Sequence, residues 1–194
     1  IVGRLLGAAS LGAAGIANSL AFLIASIAIG GMAVIAPMVS KNLAEKNTVK
    51  LAALFSNTLL VAFLLSVILS LAGFFLLKYF YILGQKPAIE ELSIPFLLLI
   101  LISNVPLIFF LAIKQFSDGY SQPKIVMYIT FFGLLFNVIA NMVLINGWGI
   151  FPKLGLNGAA YATIISRTLM VLLLILYLRN AATFKYLFRV KNWT

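Results

Sequence analysis

Apolar residues run through this chain in five long stretches, near 15–38, 52–77, 93–113, 125–146 and 158–178, with most charged residues confined to the short connections between them. Crossing about 30 Å of hydrocarbon takes about 20 helical residues, and each stretch is long enough. A membrane β-strand would need only about 9–11 residues and would alternate polar with apolar positions. These stretches are longer and do not alternate, and a spanning helix satisfies its own backbone where no water can. The pattern therefore predicts an all-α integral membrane protein, a helical bundle with five complete spans.

Composition strengthens this reading: 63% of the 194 residues are hydrophobic, 9% are charged, and the mean hydropathy is +1.14. Soluble domains carry about a quarter charged residues. The opening Ile1 to Gly7 is expected to be the tail of an earlier helix entering a short Gly/Ala/Ser turn, so the chain reads as a fragment whose first helix is mostly missing. No linker divides it, and a single membrane lobe over 1–194 is expected.

The net charge of +10 is spread over connections rather than a folded basic face, which argues for topology and against a nucleic-acid partner. Nine cations share one side: Lys41, Lys46, Lys50, Lys114, Lys124, Arg179, Lys185, Arg189 and Lys191. The alternate connections hold four, Arg4, Lys78, Lys86 and Lys153. The positive-inside bias puts the loops near 39–51 and 114–124 and the carboxy-terminal tail in the cytoplasm, in a multi-pass protein of the cytoplasmic (inner) membrane. Counting back, the lobe would have six spans with both ends inside.

The chain has no Cys and no His, which removes thiolate metal sites, cysteine nucleophiles and imidazole bases. All four acids, Glu45, Glu90, Glu91 and Asp118, fall outside the five apolar stretches, so paired carboxylates within the membrane are absent as well. No enzyme, catalytic residue or cofactor is expected. Small residues crowd the first span (Gly15, Ala17, Ala21, Ala25, Ala28, Gly30, Gly31), as where helix backbones approach closely. Pro37, near the end of that span, and Pro106, inside the third after Ser103 and Asn104, are candidate kinks or hinges because proline deletes a helical hydrogen bond.

Polar residues inside the spans carry the remaining information. Gly133, Asn137 and Asn141 recur at i, i+4, i+8 and so share one helix face. Asn141 lies roughly 8 Å and Asn137 roughly 14 Å below the outer end of their span, and on the next, antiparallel span Thr163 and Arg167 lie at roughly the same depths. Facing pairs Asn141 with Thr163 and Asn137 with Arg167 are expected. Arg167 costs about 2.5 to 3.5 kcal/mol on insertion scales unless it is paired or hydrated. It either snorkels outward and bonds carbonyls or lines a solvated cavity. Asn18 and Asn104 are further candidates for such a lining.

Four segments, "GRLLGAASLGAAGIANSL", "IAPMVSKNLAEKN", "ILGQKPAIEELSIPFL" and "NVIANMVLINGWGIFPKLGLNGAAYATIISR", follow one another in the order and spacing of the amino-terminal half of multidrug and toxic compound extrusion (MATE) transporters. The chain resembles that family over nearly its whole length. The resemblance implies a twelve-helix, two-lobed antiporter exporting small organic, cationic substrates in exchange for protons or sodium, with a carboxy-terminal six-helix lobe and membrane lipid as partners. It also implies a cation site to which Asn137, Asn141 and Thr163 correspond, a candidate sodium site, with an acid on the missing first helix. Many relatives hold Asp where this chain has Asn141, and Asn cannot titrate. Two other readings remain: a lipid-linked precursor flippase of the same superfamily, and a non-transporting membrane lobe or scaffold.

Cysteines placed by Asn141→Cys and Thr163→Cys should form a disulfide in membranes; failure to crosslink would sink the expected pairing of the two spans.

Overall fold

The computed structural model describes residues 2–84 and 86–188. Ile1, Arg189 and Lys191, named above in the reading of the amino terminus and the tail, lie outside the described residues.

Six α-helices account for almost all of it: α1 (Val2–Met32), α2 (Ile35–Ala44), α3 (Thr48–Lys78), α4 (Pro87–Gly119), α5 (Pro123–Asn146) and α6 (Gly155–Asn180). Short 3-10 turns follow α3 (Phe80–Leu83) and α6 (Ala182–Phe188), and no strand occurs among the described residues. Among the described residues five spans are long and apolar enough to cross a membrane, α1 with α2 forming the first. The chain is a multi-pass membrane protein.

Several helices overrun the apolar stretches that announced them. The 31 residues of α3 reach roughly 46 Å, well beyond about 30 Å of hydrocarbon, so its ends project into the polar interface. Consequently Glu90 and Glu91 lie in the opening turns of α4 rather than in a loop, and Asp118 lies in its last turn, where it accepts a 2.5 Å contact from Lys114 one turn earlier.

The first span departs most from expectation. Helix is already present over 2–6, where the sequence predicts the tail of an earlier helix, but the next helix resumes directly after Gly7 rather than near 15, so the anticipated Gly/Ala/Ser turn shrinks to that one residue, whose φ of 84° and ψ of −178° belong to a region open essentially to glycine. Leu5 and Leu6 before it and Ala8 and Ala9 after it favour helix, which explains why the break does not spread. At the other end the span stops at Met32 and restarts at Ile35, and Pro37 falls in the first turn of α2, where its missing N–H costs little. By contrast α4 runs through both Pro95 and Pro106 as one helix.

Packing centres on α4. In its apolar window 56% of residues are buried, against 22% in α3, so α4 is the core helix and α3 a peripheral one whose Phe63, Phe74 and Phe75 stay exposed. On α1 the buried face is the alanine row Ala17, Ala21, Ala25 and Ala28, whereas Gly15, Gly30 and Gly31 are exposed. Alanine thus supplies the close approach to α4 that the small-residue pattern promised. α6 packs along both α4 and α5. At the α5–α6 crossing a Cβ on Gly158 would lie 2.6 Å from the Leu144 carbonyl oxygen, so no larger residue fits.

One end of the bundle is closed by aromatic rings. Phe55 meets Phe116 edge-on at 5.0 Å, Phe116 stacks on Tyr120 at 5.8 Å, and Tyr120 meets Phe184 at 4.8 Å. The Tyr120 and Tyr186 hydroxyls hydrogen-bond, and the Ser40 hydroxyl donates to the Gly119 carbonyl at 3.0 Å. Burial first, and this tyrosine pairing second, hold the Tyr186 hydroxyl above the usual tyrosine range. These contacts bring α2, the α4–α5 connection and the segment after α6 to one end, the three regions where the cation count is highest.

Gly158→Leu should lower the thermal midpoint in detergent by an amount equivalent to about 1–3 kcal/mol of overpacking. Gly15→Ala, where an added Cβ meets nothing within 4 Å, should leave it unchanged or raise it; the two measured together separate helix contact from helix propensity.

Candidate functional site

A guanidinium in mid-membrane has to be solvated by the protein, and the helices around Arg167 are arranged to do that. Arg167 sits in the middle of α6, and its side chain turns to α4. Its Nη1 donates to Ser103 Oγ at 2.6 Å and to Asn104 Oδ1 at 3.1 Å. Asn104, itself buried, donates through Nδ2 to the Ala21 carbonyl of α1 at 3.3 Å, and Ser103 donates to the Ile100 carbonyl at 2.6 Å. Three helices are thereby joined through one polar chain: α6 to α4 to α1.

On the other flank, Asn141 donates through Nδ2 to both the backbone oxygen (2.8 Å) and the side-chain Oδ1 (2.9 Å) of Asn137. A backbone carbonyl can only accept, which fixes the orientation of Asn141 and obliges Asn137 to present Oδ1 to it. The Asn137 amide N–H2 is left facing elsewhere. Thr163 donates to the Ala159 carbonyl one turn back at 2.9 Å.

The expected facing pairs are therefore not hydrogen-bonded to each other. Asn141 takes its partner from its own helix because an i, i+4 neighbour is already within reach, and Arg167 takes its partners from α4 because α6 lies against α4 as closely as against α5. What the structure does bring together is a pair of cavities sharing one wall. A cavity of about 220 Å³ between α5 and α6 is lined by Thr130, Gly133, Asn137, Thr163 and Arg167 among others. A second, of about 260 Å³, lies between α1 and α4 and is lined by Asn18, Asn104, Arg167 and apolar neighbours including Phe22 and Leu107. Arg167 lines both. Asn141 lines neither; it is buried behind Asn137 and orients it. Pro37 and Pro106 line neither cavity.

Ser103 was visible in the sequence only as a neighbour of Pro106. The clue to its role was a Ser-Asn pair in an otherwise apolar span of a protein that also places an arginine at depth. Glycine at 133 matters for a different reason, since a Cβ there would overlap the Met170 side chain, which would have to move.

With this geometry in view, the relationship to known proteins is direct. A sequence profile of the family MatE matches residues 1–143. The chain belongs to the MatE family. It is 31% identical over 180 residues to "Probable multidrug resistance protein YoeA" of Bacillus subtilis, an alignment covering 92% of this chain and 39% of the relative. It is 29% identical over 177 residues to "Probable multidrug resistance protein NorM" of Deinococcus radiodurans, covering 90% of this chain and 38% of that one. With the protein of the same name from Bacillus cereus it shares 33% identity over 96 residues, half of this chain and 21% of the relative. The chain thus spans about two-fifths of the length of the YoeA relative and of the Deinococcus radiodurans one. Members of this MATE family are transporters rather than enzymes.

Asn104→Leu removes one of the two acceptors of a half-buried cation and should destabilise the protein by about 1–3 kcal/mol. Asn137→Leu, on a half-exposed cavity wall, should cost less than 1 kcal/mol by the same measure. Thermal unfolding in detergent ranks the two, and the reverse order would mean that Arg167 is not held by α4.

Proposed function

We propose that this chain is the amino-terminal lobe of a secondary active antiporter of the cytoplasmic membrane that exports organic cations, drugs or metabolites, in exchange for protons or sodium. The observation that carries the proposal is the meeting of two cavities at Arg167, between α1 and α4 on one side and α5 and α6 on the other. Polar groups inside a membrane are costly and gather where solutes or ions pass. Family membership and the multidrug resistance names of the relatives support the same reading.

In this proposal the end closed by aromatic rings and rich in lysine faces the cytoplasm, and a second six-helix lobe completes the cleft. Six spans per lobe is an even number, so two lobes can be parallel repeats about an axis along the membrane normal. For the coupling ion, the chemistry of the oxygens bears on the choice. Asn137, Asn141 and Thr163 offer amide and hydroxyl oxygens that can coordinate sodium but cannot exchange a proton near neutral pH. Arg167 in the same cavity opposes a cation there by repulsion, so in this proposal sodium would take the Asn137 and Thr163 oxygens on the side away from the guanidinium. Proton coupling requires a carboxylate, and among the described residues the four acids lie at helix ends.

Everted vesicles carrying the full chain, loaded by an imposed sodium or proton gradient, should accumulate a cationic dye. Asn141→Leu should slow that uptake about fivefold, the equivalent of one lost hydrogen bond near 1 kcal/mol, with folded protein unchanged. Equal uptake by the variant removes these residues from the site, and no uptake under either gradient favours a scaffold.

A further inference from the structure

Every ionised group buried in a membrane needs its donors or acceptors matched, and Arg167 is matched on one nitrogen only. Ser103 and Asn104 both accept from Nη1, leaving Nη2 and Nε without a protein partner among the described residues. Those two nitrogens form the side edge of the guanidinium, a parallel pair of donors whose spacing fits the two oxygens of a carboxylate. The acceptors Arg167 does have are neutral, so its charge is uncompensated where the side chain lines the cavities.

The α5–α6 cavity adds to this bias. One of the two lone pairs of Asn137 Oδ1 is taken by Asn141, while neither hydrogen of its N–H2 has a partner among the described residues, so Asn137 has more donor than acceptor capacity left for a ligand. Arg167 and Asn137 line one cavity of about 220 Å³ with donors left over. A space of that size holds part of a drug-sized molecule rather than the whole.

We infer that Arg167, with Asn137 beside it, is a recognition site for a carboxylate on the transported molecule, so that this lobe prefers zwitterionic or anionic compounds to simple cations. The inference rests on the exporter reading and shifts its substrate class from simple cations to carboxylate-bearing compounds. The same carboxylate chemistry could come from a side chain elsewhere in the longer polypeptide, and the test separates the two sources.

The test is equilibrium binding to the full chain in detergent of a rhodamine with a free benzoate and of its methyl ester, which differ at the carboxylate alone. The wild-type protein should bind the acid at least about tenfold more tightly than the ester. Arg167→Gln should abolish the preference by weakening acid binding, with the affinity for the cationic ester unchanged or raised as the repulsion is lost, and Arg167→Lys, which keeps the charge but loses the paired donors, should reduce the preference about threefold or more. If Arg167→Gln does not accumulate as folded protein, the lysine variant decides. Equal binding of acid and ester by the wild type overturns the inference and fits a side-chain carboxylate already seated on Arg167. A preference that survives unchanged in the variants overturns it too. If neither dye binds, the exporter reading falls with it.

Discussion

A single constraint organises this lobe: the positive charge of Arg167 has to be accommodated in the middle of a hydrocarbon layer. Water would solvate it from all sides, and in the bilayer the protein must supply the dipoles instead. It does so with a hydroxyl and an amide on α4, and the amide passes the connection on to a backbone carbonyl of α1. Helices within a membrane gain little from hydrophobic segregation, since lipid tails are as apolar as leucine, so polar links of this kind and close van der Waals contact decide which faces meet. The alanine row of α1 and the glycines of α5 and α6 provide that contact around the polar chain.

Because the same side chain is a wall of two cavities, the constraint on packing is also a constraint on function. Any solute entering between α5 and α6 or between α1 and α4 meets the same guanidinium. The asparagine pair on α5 is subordinate to this arrangement. Asn141, buried, spends its donor on Asn137, and the consequence is that Asn137 keeps both N–H2 donors but only one lone pair of Oδ1 for the cavity. A site that looks from its residue types like an oxygen cage for a cation is, in its hydrogen-bonding state, partly the opposite. The tension between a cation site and an arginine beside it is thus physical and local, and it turns on which lone pairs are already taken.

The lysine-rich end, remote from this centre, is held differently. Aromatic edges and stacks from α3, α4 and the turn after α6 fill it, with hydroxyl contacts at its margin. Aromatic rings with one polar atom suit a position where hydrocarbon gives way to water. This end joins segments far apart in sequence, which keeps the connections short and the bundle closed there while the polar centre lies deeper.

Periodicity and length alone determined the number of spans, their helical nature and the grouping of cationic connections, because these depend on the bilayer acting on each segment separately. They also singled out Asn137, Thr163 and Arg167, since a polar residue in an apolar run is conspicuous whatever surrounds it. Helix ends were less legible: hydropathy marks where lipid stops, whereas the helix continues until its backbone bonding fails, as at Gly7 and Ala33. Depth matched Asn141 with Thr163 and Asn137 with Arg167, yet depth is one coordinate, and partners are chosen also by rotation about the helix axis and by which helix lies alongside. Only the packing of α6 between α4 and α5 decided that Arg167 answers to Ser103 and Asn104, residues some sixty positions away that nothing in the local sequence could connect to it.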